Sequence, residues 1–169
     1  MTVNWQNITY SGITPLMLAV ASQSSEYGGG IESVQSLLSQ PDIGKKDILH
    51  LFYSILTKTY IIDIYHENAL EQTAHFYVVD SISSSTDVLD LLVEAGADLT
   101  KKDIWGFNIL HWAAYYCKEE MAKHLIDELG MDKEVKLSQD FSHTALDIAK
   151  TMGCKEQVDN WKAFKKVLG

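Results

Sequence analysis

Asn108-Ile109-Leu110-His111-Trp112-Ala113-Ala114 joins a polar residue to an apolar pair, a histidine, a tryptophan and two small residues. Other runs vary the same phrase: Thr14-Pro15-Leu16-Met17-Leu18-Ala19, Asp47-Ile48-Leu49-His50-Leu51-Phe52 and Thr144-Ala145-Leu146-Asp147-Ile148-Ala149. The hydroxyl of Thr14 or Thr144 can accept from a backbone N–H in the first helical turn, and Pro15 stands where its missing N–H removes nothing. Leu16, Leu49, Leu110 and Leu146 supply an apolar stripe, while Ala19, Ala113, Ala114 and Ala149 let a neighbouring helix come close. A second pattern follows, in which Val34-Leu37-Leu38, Val88-Leu91-Leu92, Met121-Leu125 and Val158-Trp161 recur at helical spacings. A phrase that returns with its own partner helix implies stacked copies of one unit, each burying what a single copy cannot. The expected fold class is all-α, a solenoid of helix pairs.

Composition narrows the function. The 169 residues are 46% hydrophobic, enough for the core of one domain, and their formal net charge is −9. The last fifteen residues hold four lysines against two acids, so the rest of the chain is more acidic still. All 14 basic residues are lysine. An acidic body without arginine is a poor match for phosphate backbones or base edges, so no nucleic-acid partner is expected and a basic protein is. No run reaches the roughly 18 to 20 apolar residues of a membrane span, and Met1 to Asn7 lack the pattern of a secretory signal. Cys117 and Cys154 are too few for a disulfide framework and too far apart for a C-x-x-C motif, which favours a reducing, cytoplasmic setting, in its own cell or in a host cell.

The phrases begin at residues 14, 47, 108 and 144, and the first spacing is 33. Val88-Leu89-Asp90-Leu91-Leu92-Val93-Glu94-Ala95-Gly96-Ala97-Asp98 has the form of a second helix closing in a Gly-Ala-Asp turn, and Asp103-Ile104-Trp105-Gly106 that of a finger tip. On these residues the chain resembles the ankyrin-repeat family, most specifically over 87–150. The resemblance implies a single domain of four or five units over 1–169, at about 9–43, 44–66, 67–102, 103–138 and 139–169. The 61-residue interval between the second and third phrases leaves two arrangements open. Either a new first helix runs from Asn68 to about Val79, giving five units, or 57–86 is an insertion. Ser85 or Thr86 is expected to cap the following helix. The helix at about 155–167 and Asn4-Trp5 are expected to close the two ends of the stack.

In this family, partners are gripped by finger tips and by the concave side of the first helices. Residue by residue, the resemblance places partner contacts at Ile104, Trp105, Phe107, Tyr115 and Tyr116, extended by Phe141, His143 and Met152 and, in the first unit, by Tyr10 and Ile13. Solvent-facing scaffold positions do not ordinarily gather aromatics, whereas interfaces do. The competing reading is that the long preceding segment folds over this surface. Asp103, Glu119, Glu120 and Asp140 are expected to form an acidic rim. His50 and His111 should tie adjacent loops together, and Cys117 takes a place where the family commonly has glycine.

Catalytic readings are weaker. Glu71 and His75 would share a helical face, but His66 and His75 are nine apart, which is not zincin spacing, and no second Glu-x-x-His supports a di-iron site. Cys117 has no base named by its surroundings, and Tyr27-Gly28-Gly29-Gly30 lacks the strand and lysine of a phosphate loop. No metal and no cofactor is expected. The sequence thus favours a non-catalytic protein-binding module, monomeric when free, acting as an inhibitor or immunity-type protein for a basic partner. Its alternatives are a secreted microbial effector engaging a host protein, a fragment of a longer scaffold, and a hydrolase dependent on Glu71 and His75 or on Cys117.

Overall fold

The computed structural model describes residues 12–22, 31–39, 63–80, 85–137, 142–154 and 158–169. Their regular structure is helical: α1 (Pro15–Ser22), α2 (Ile31–Leu38), α3 (Phe76–Asp80), α4 (Thr86–Glu94), α5 (Ile109–Tyr115), α6 (Glu119–Asp127), α7 (Ala145–Ile148, running into a π turn at Ala149–Gly153) and α8 (Val158–Leu168). Among the described residues there is no strand, and no helix is long and apolar enough to cross a membrane.

The helices pair in sequence and stack in rows. One row runs α1, α3, α5, α7, and behind it α2 packs on α4 and α6 on α8. Asp90 of α4 and His124 of α6 close the remaining step of the second row with a 2.6 Å hydrogen bond. Between the rows lie Leu16, Met17, Val20, Val34, Val78, Leu89, Leu92, Leu110, Met121, Leu125, Ile148 and Phe164, all essentially without solvent contact. Ala113, Ala114, Ala122 and Ala149 are equally buried, and their size lets successive helices come together.

Caps fix where the helices begin. Thr14 Oγ1 accepts from the Met17 N–H at 3.2 Å, and Thr144 and Asp147 form a capping box. Asn108 does the same with a histidine: its Oδ1 accepts from the His111 N–H at 3.0 Å, and His111 Nδ1 accepts from the Asn108 N–H at 3.2 Å. With Nδ1 accepting, the ring proton sits on Nε2, which donates to the Val135 carbonyl at 3.1 Å. One neutral imidazole therefore caps its own helix and holds the next finger. Ser85 takes the N-cap position of α4.

The fingers repeat as closely as the helices. Asn68 Oδ1 accepts from the N–H groups of Leu70 and Gln72, and the Asn68 N–H donates to the Gln72 carbonyl. Asp103 Oδ1 accepts from Trp105 and Phe107, and the Asp103 N–H donates to the Phe107 carbonyl. Asn68 therefore heads a finger and is not the start of a helix. The phrase beside it is Thr73-Ala74-His75-Phe76, in which Phe76 stands where His111 stands in the next unit. Neighbouring fingers bond through the Ile104 N–H and the Leu70 carbonyl at 3.1 Å, and His66 Nε2 donates to the Gly12 carbonyl at 3.1 Å. Gly106, at φ 80, lies where a Cβ would come within 2.8 Å of the Leu137 carbonyl oxygen, so only glycine admits the next finger.

α1 packs directly on α3 and α2 on α4. Most of the unit expected at 44–66, residues 44–62, lies outside the described residues, as do Asn4-Trp5 and His50. At the cysteines an expectation changes. After α5 the chain closes in a Schellman turn, with Lys118 N–H donating to the Ala113 carbonyl and Cys117 N–H to that of Ala114. Cys117 occupies the left-handed position at φ 55, as Gly96 does at φ 97 after α4. A cysteine in that conformation costs about 1 kcal/mol relative to glycine. It is no tolerated filler: Cys117 and Cys154 form a disulfide, their Cα atoms 5.3 Å apart. Cysteine usage consequently gives no ground for a reducing setting.

Asn108→Ala is expected to destabilise the chain by about 1–2 kcal/mol, read as a lower denaturant midpoint at unchanged slope. Burial lowers both His75 and His111 from 6.5 to about 4. Since the folded value lies below the unfolded one, the stability they supply is complete above the unfolded value, declines as the pH falls, and is absent below about 4. Denaturation curves across that range should show the decline, and His111→Gln should flatten it. Reducing the disulfide, which closes a span of 37 residues, should cost about 3–4 kcal/mol by chain entropy, read as a lower melting temperature with reductant and in Cys154→Ser.

Candidate functional site

The side of the stack where the fingers meet the first row of helices is organised by one acid. Asp103 is only 4% exposed, and its carboxylate accepts four hydrogen bonds. Oδ1 takes the two finger N–H groups, and Oδ2 takes Trp112 Nε1–H at 2.7 Å and Gln72 Nε2–H at 3.3 Å. Such a set satisfies a buried carboxylate and fixes the tryptophan ring in the same step. The acidic rim expected at Asp103 is corrected accordingly: this acid faces inward, because its lone pairs are needed by the finger.

Trp112 is the hub of an aromatic cluster. Trp105 meets it edge-on at 6.0 Å between ring centres, Phe107 lies at 5.1 Å, Tyr115 at 5.3 Å edge-on and Tyr116 at 5.6 Å nearly parallel. Offset and edge-to-face pairs of this kind add about 0.5–1.5 kcal/mol each beyond their burial. The rim stays in solvent: Ile104 is 48% exposed, Trp105 52%, Tyr115 40% and Tyr116 39%. Large exposed aromatics held by their neighbours have already lost the rotamer freedom that binding would otherwise remove.

Beside the cluster lies a groove of about 200 Å³, lined by Leu70, Gln72, Phe76, Tyr77 and Asp80 from one unit and Trp105, Trp112 and Tyr116 from the next. Asn68 Nδ2 donates to the Tyr77 hydroxyl at 2.8 Å, which fixes one wall. Asp80 and Tyr116 line the same groove, and burial, with the charge and hydrogen bonding of the Asp80 carboxylate, pushes the phenol up to about 12. Asp80 is exposed, so a charged group is open to solvent in the groove.

The positions named from sequence divide. Trp105, Phe107, Tyr115 and Tyr116 come together, and Ile104 stands exposed beside them. Ile13 is half-buried and packs on the core, and His143 is exposed with its carbonyl held by the Leu137 N–H. Tyr10, Phe141, Asp140 and the Met152 side chain lie outside the described residues. Trp112, Leu70, Gln72, Tyr77 and Asp80 were not foreseen. The signal for them was the Asn68 finger, since aligning it with Asp103 puts Tyr77 on Trp112 and Asp80 on Tyr115.

The catalytic constellations lose their geometry. Glu71 sits in the finger at φ 59, exposed, while His75 is buried against Phe76 with Nδ1 bonded to Thr73 Oγ1 at 2.7 Å, so the two share no helical face. The Cys117 sulfur is bonded to Cys154. Among the described residues no three of His, Cys, Asp or Glu gather as metal ligands would.

Comparison with known proteins agrees with the architecture. A family model of ankyrin repeats, in three copies, matches residues 76–159. Protein phosphatase 1 regulatory subunit 12A of Mus musculus and of Rattus norvegicus are each 36% identical over 95 residues, 56% of this chain. The match covers 9% of the mouse protein and 8% of the rat protein. With its repeated fingers, capped helix pairs and stacked rows, the chain belongs over residues 76–159 to the ankyrin-repeat family.

Proposed function

We propose that the chain is a non-catalytic protein-binding module whose partner docks on the concave face, across Trp105, Tyr115, Tyr116 and the groove beside them. The observation that carries this reading is the exposed aromatic cluster, immobilised by Asp103 through Trp112. Aromatics that are held rigid and still open to solvent are the usual anchors of interfaces. The likeness to a protein named as a regulatory subunit of a phosphatase supports binding over catalysis.

The partner is basic. A net charge of −9 would steer a positively charged surface toward this face and speed encounter. Within that reading the chain acts by occupying its partner, as an inhibitor or immunity-type protein does, and is monomeric when free. The direct packing of α1 on α3 and of α2 on α4 supports a stack of four units.

Affinity capture from the native cell, followed by purification of the captured protein, tests the surface. Trp105→Ala should weaken the purified complex by about 2 kcal/mol or more, near thirtyfold, and Tyr115→Ala by less. An unchanged affinity in both variants, with melting intact, would assign the interface elsewhere. Raising the salt concentration should slow association much more than it speeds dissociation, and a salt-independent on-rate would remove the basic partner.

A further inference from the structure

The groove is small and chemically lopsided. Its volume of about 200 Å³ is below the roughly 300–1,000 Å³ of sites that enclose a drug-sized ligand, so it suits one long side chain and not a stretch of backbone. Phe76, Tyr77, Trp105, Trp112 and Tyr116 line it with aromatic rings, and Asp80 is its one charged group. An apolar side chain would remove water from that carboxylate without offering a counter-charge, and an acidic one would be repelled. What remains is a cation, which the ring faces and Asp80 would both attract.

We infer that the groove receives an arginine side chain of the partner, its guanidinium stacked on the aromatic walls and forked onto Asp80. This rests on the protein-binding reading above and names the group that would be recognised. The guanidinium is the favoured cation for two reasons. It is planar and weakly hydrated, so it leaves water for an aromatic face more readily than the compact ammonium of lysine. It also keeps several N–H donors for the Asp80 oxygens that Tyr116 leaves open, whereas a quaternary ammonium has none. The composition is compatible with this: the 14 basic residues of this sequence are all lysine, so none of them competes for the groove with a guanidinium of its own.

The test is a titration of the folded chain, followed through the indole N–H signals of Trp105 and Trp112. The probes are the N-acetyl amides of arginine, lysine, trimethyllysine and citrulline. The arginine probe should give saturable shifts at both indoles, with lysine and trimethyllysine several-fold weaker. Citrulline, a near-isosteric neutral analogue, should be at least tenfold weaker. Asp80→Asn should weaken the arginine probe about tenfold, and Trp105→Ala should abolish its saturable shifts. Equal binding of citrulline would overturn the role of charge, and stronger binding of trimethyllysine would reassign the groove to a quaternary ammonium. No saturable shift with any probe would overturn the proposal outright. If Asp80→Asn melts early, the comparison of arginine with citrulline on the unaltered chain still decides. Should the arginine probe fail while Trp105→Ala weakens the purified partner complex, protein binding stands and only the arginine falls. Should both fail, the surface itself is misassigned.

Discussion

The carboxylate of Asp103 is the point on which the aromatic face depends. It is removed from water, and a buried charge of that kind is tolerated only because four N–H donors surround it. Those donors come from different levels of the structure. Two belong to its own finger, one to the tryptophan of the following helix and one to the preceding unit through Gln72. Local turn geometry, ring orientation and the contact between units are therefore set by one group. One unit earlier an asparagine plays the same double part, Asn68 Oδ1 accepting from the finger N–H groups while its Nδ2 donates to the hydroxyl of Tyr77, the ring in the position of Trp112.

A second dependence runs through His111. Its two nitrogens serve different masters, Nδ1 its own helix cap and Nε2 the Val135 carbonyl, and only the neutral ring can do both. The repeat is thus joined to its successor by side chains from the same phrase that starts the helix. That is why the phrase is recognisable in sequence at all: each of its residues answers to a local constraint and a neighbouring one.

This accounts for what could be read in advance. Asn108 to Ala114 and Thr144 to Ala149 keep the cap, stripe and small residues in register, and their helices fall where the pattern puts them. The helix at Phe76 begins later than the pattern puts it because His75 and Phe76 invert the usual order, and because Ala69-Leu70 imitates a phrase inside what is a finger. Half of the groove was lost with it, since Tyr77 and Asp80 gain meaning only when Asn68 is matched to Asp103. The aromatic rim at Trp105, Tyr115 and Tyr116 was legible because exposure follows from position in the repeat. The inward turn of Asp103 was not, because nothing in a one-dimensional pattern says which acids will be claimed by a ring N–H. The disulfide escaped for a similar reason: cysteines 37 positions apart become neighbours only through the stacking of α7 on α5.

That bridge bears on how the array comes apart. Repeat stacks hold each unit mainly through the adjacent one, so they tend to unzip from an end, terminal copy first. Here the turn after α5 is covalently fastened to the residue that closes the π turn after α7. α7 therefore cannot peel away from α5 by itself, and α5 to the π turn behave as one block that opens together. Since α5 carries Trp112, the block includes the hub of the aromatic cluster, whose rings open only when the whole block does.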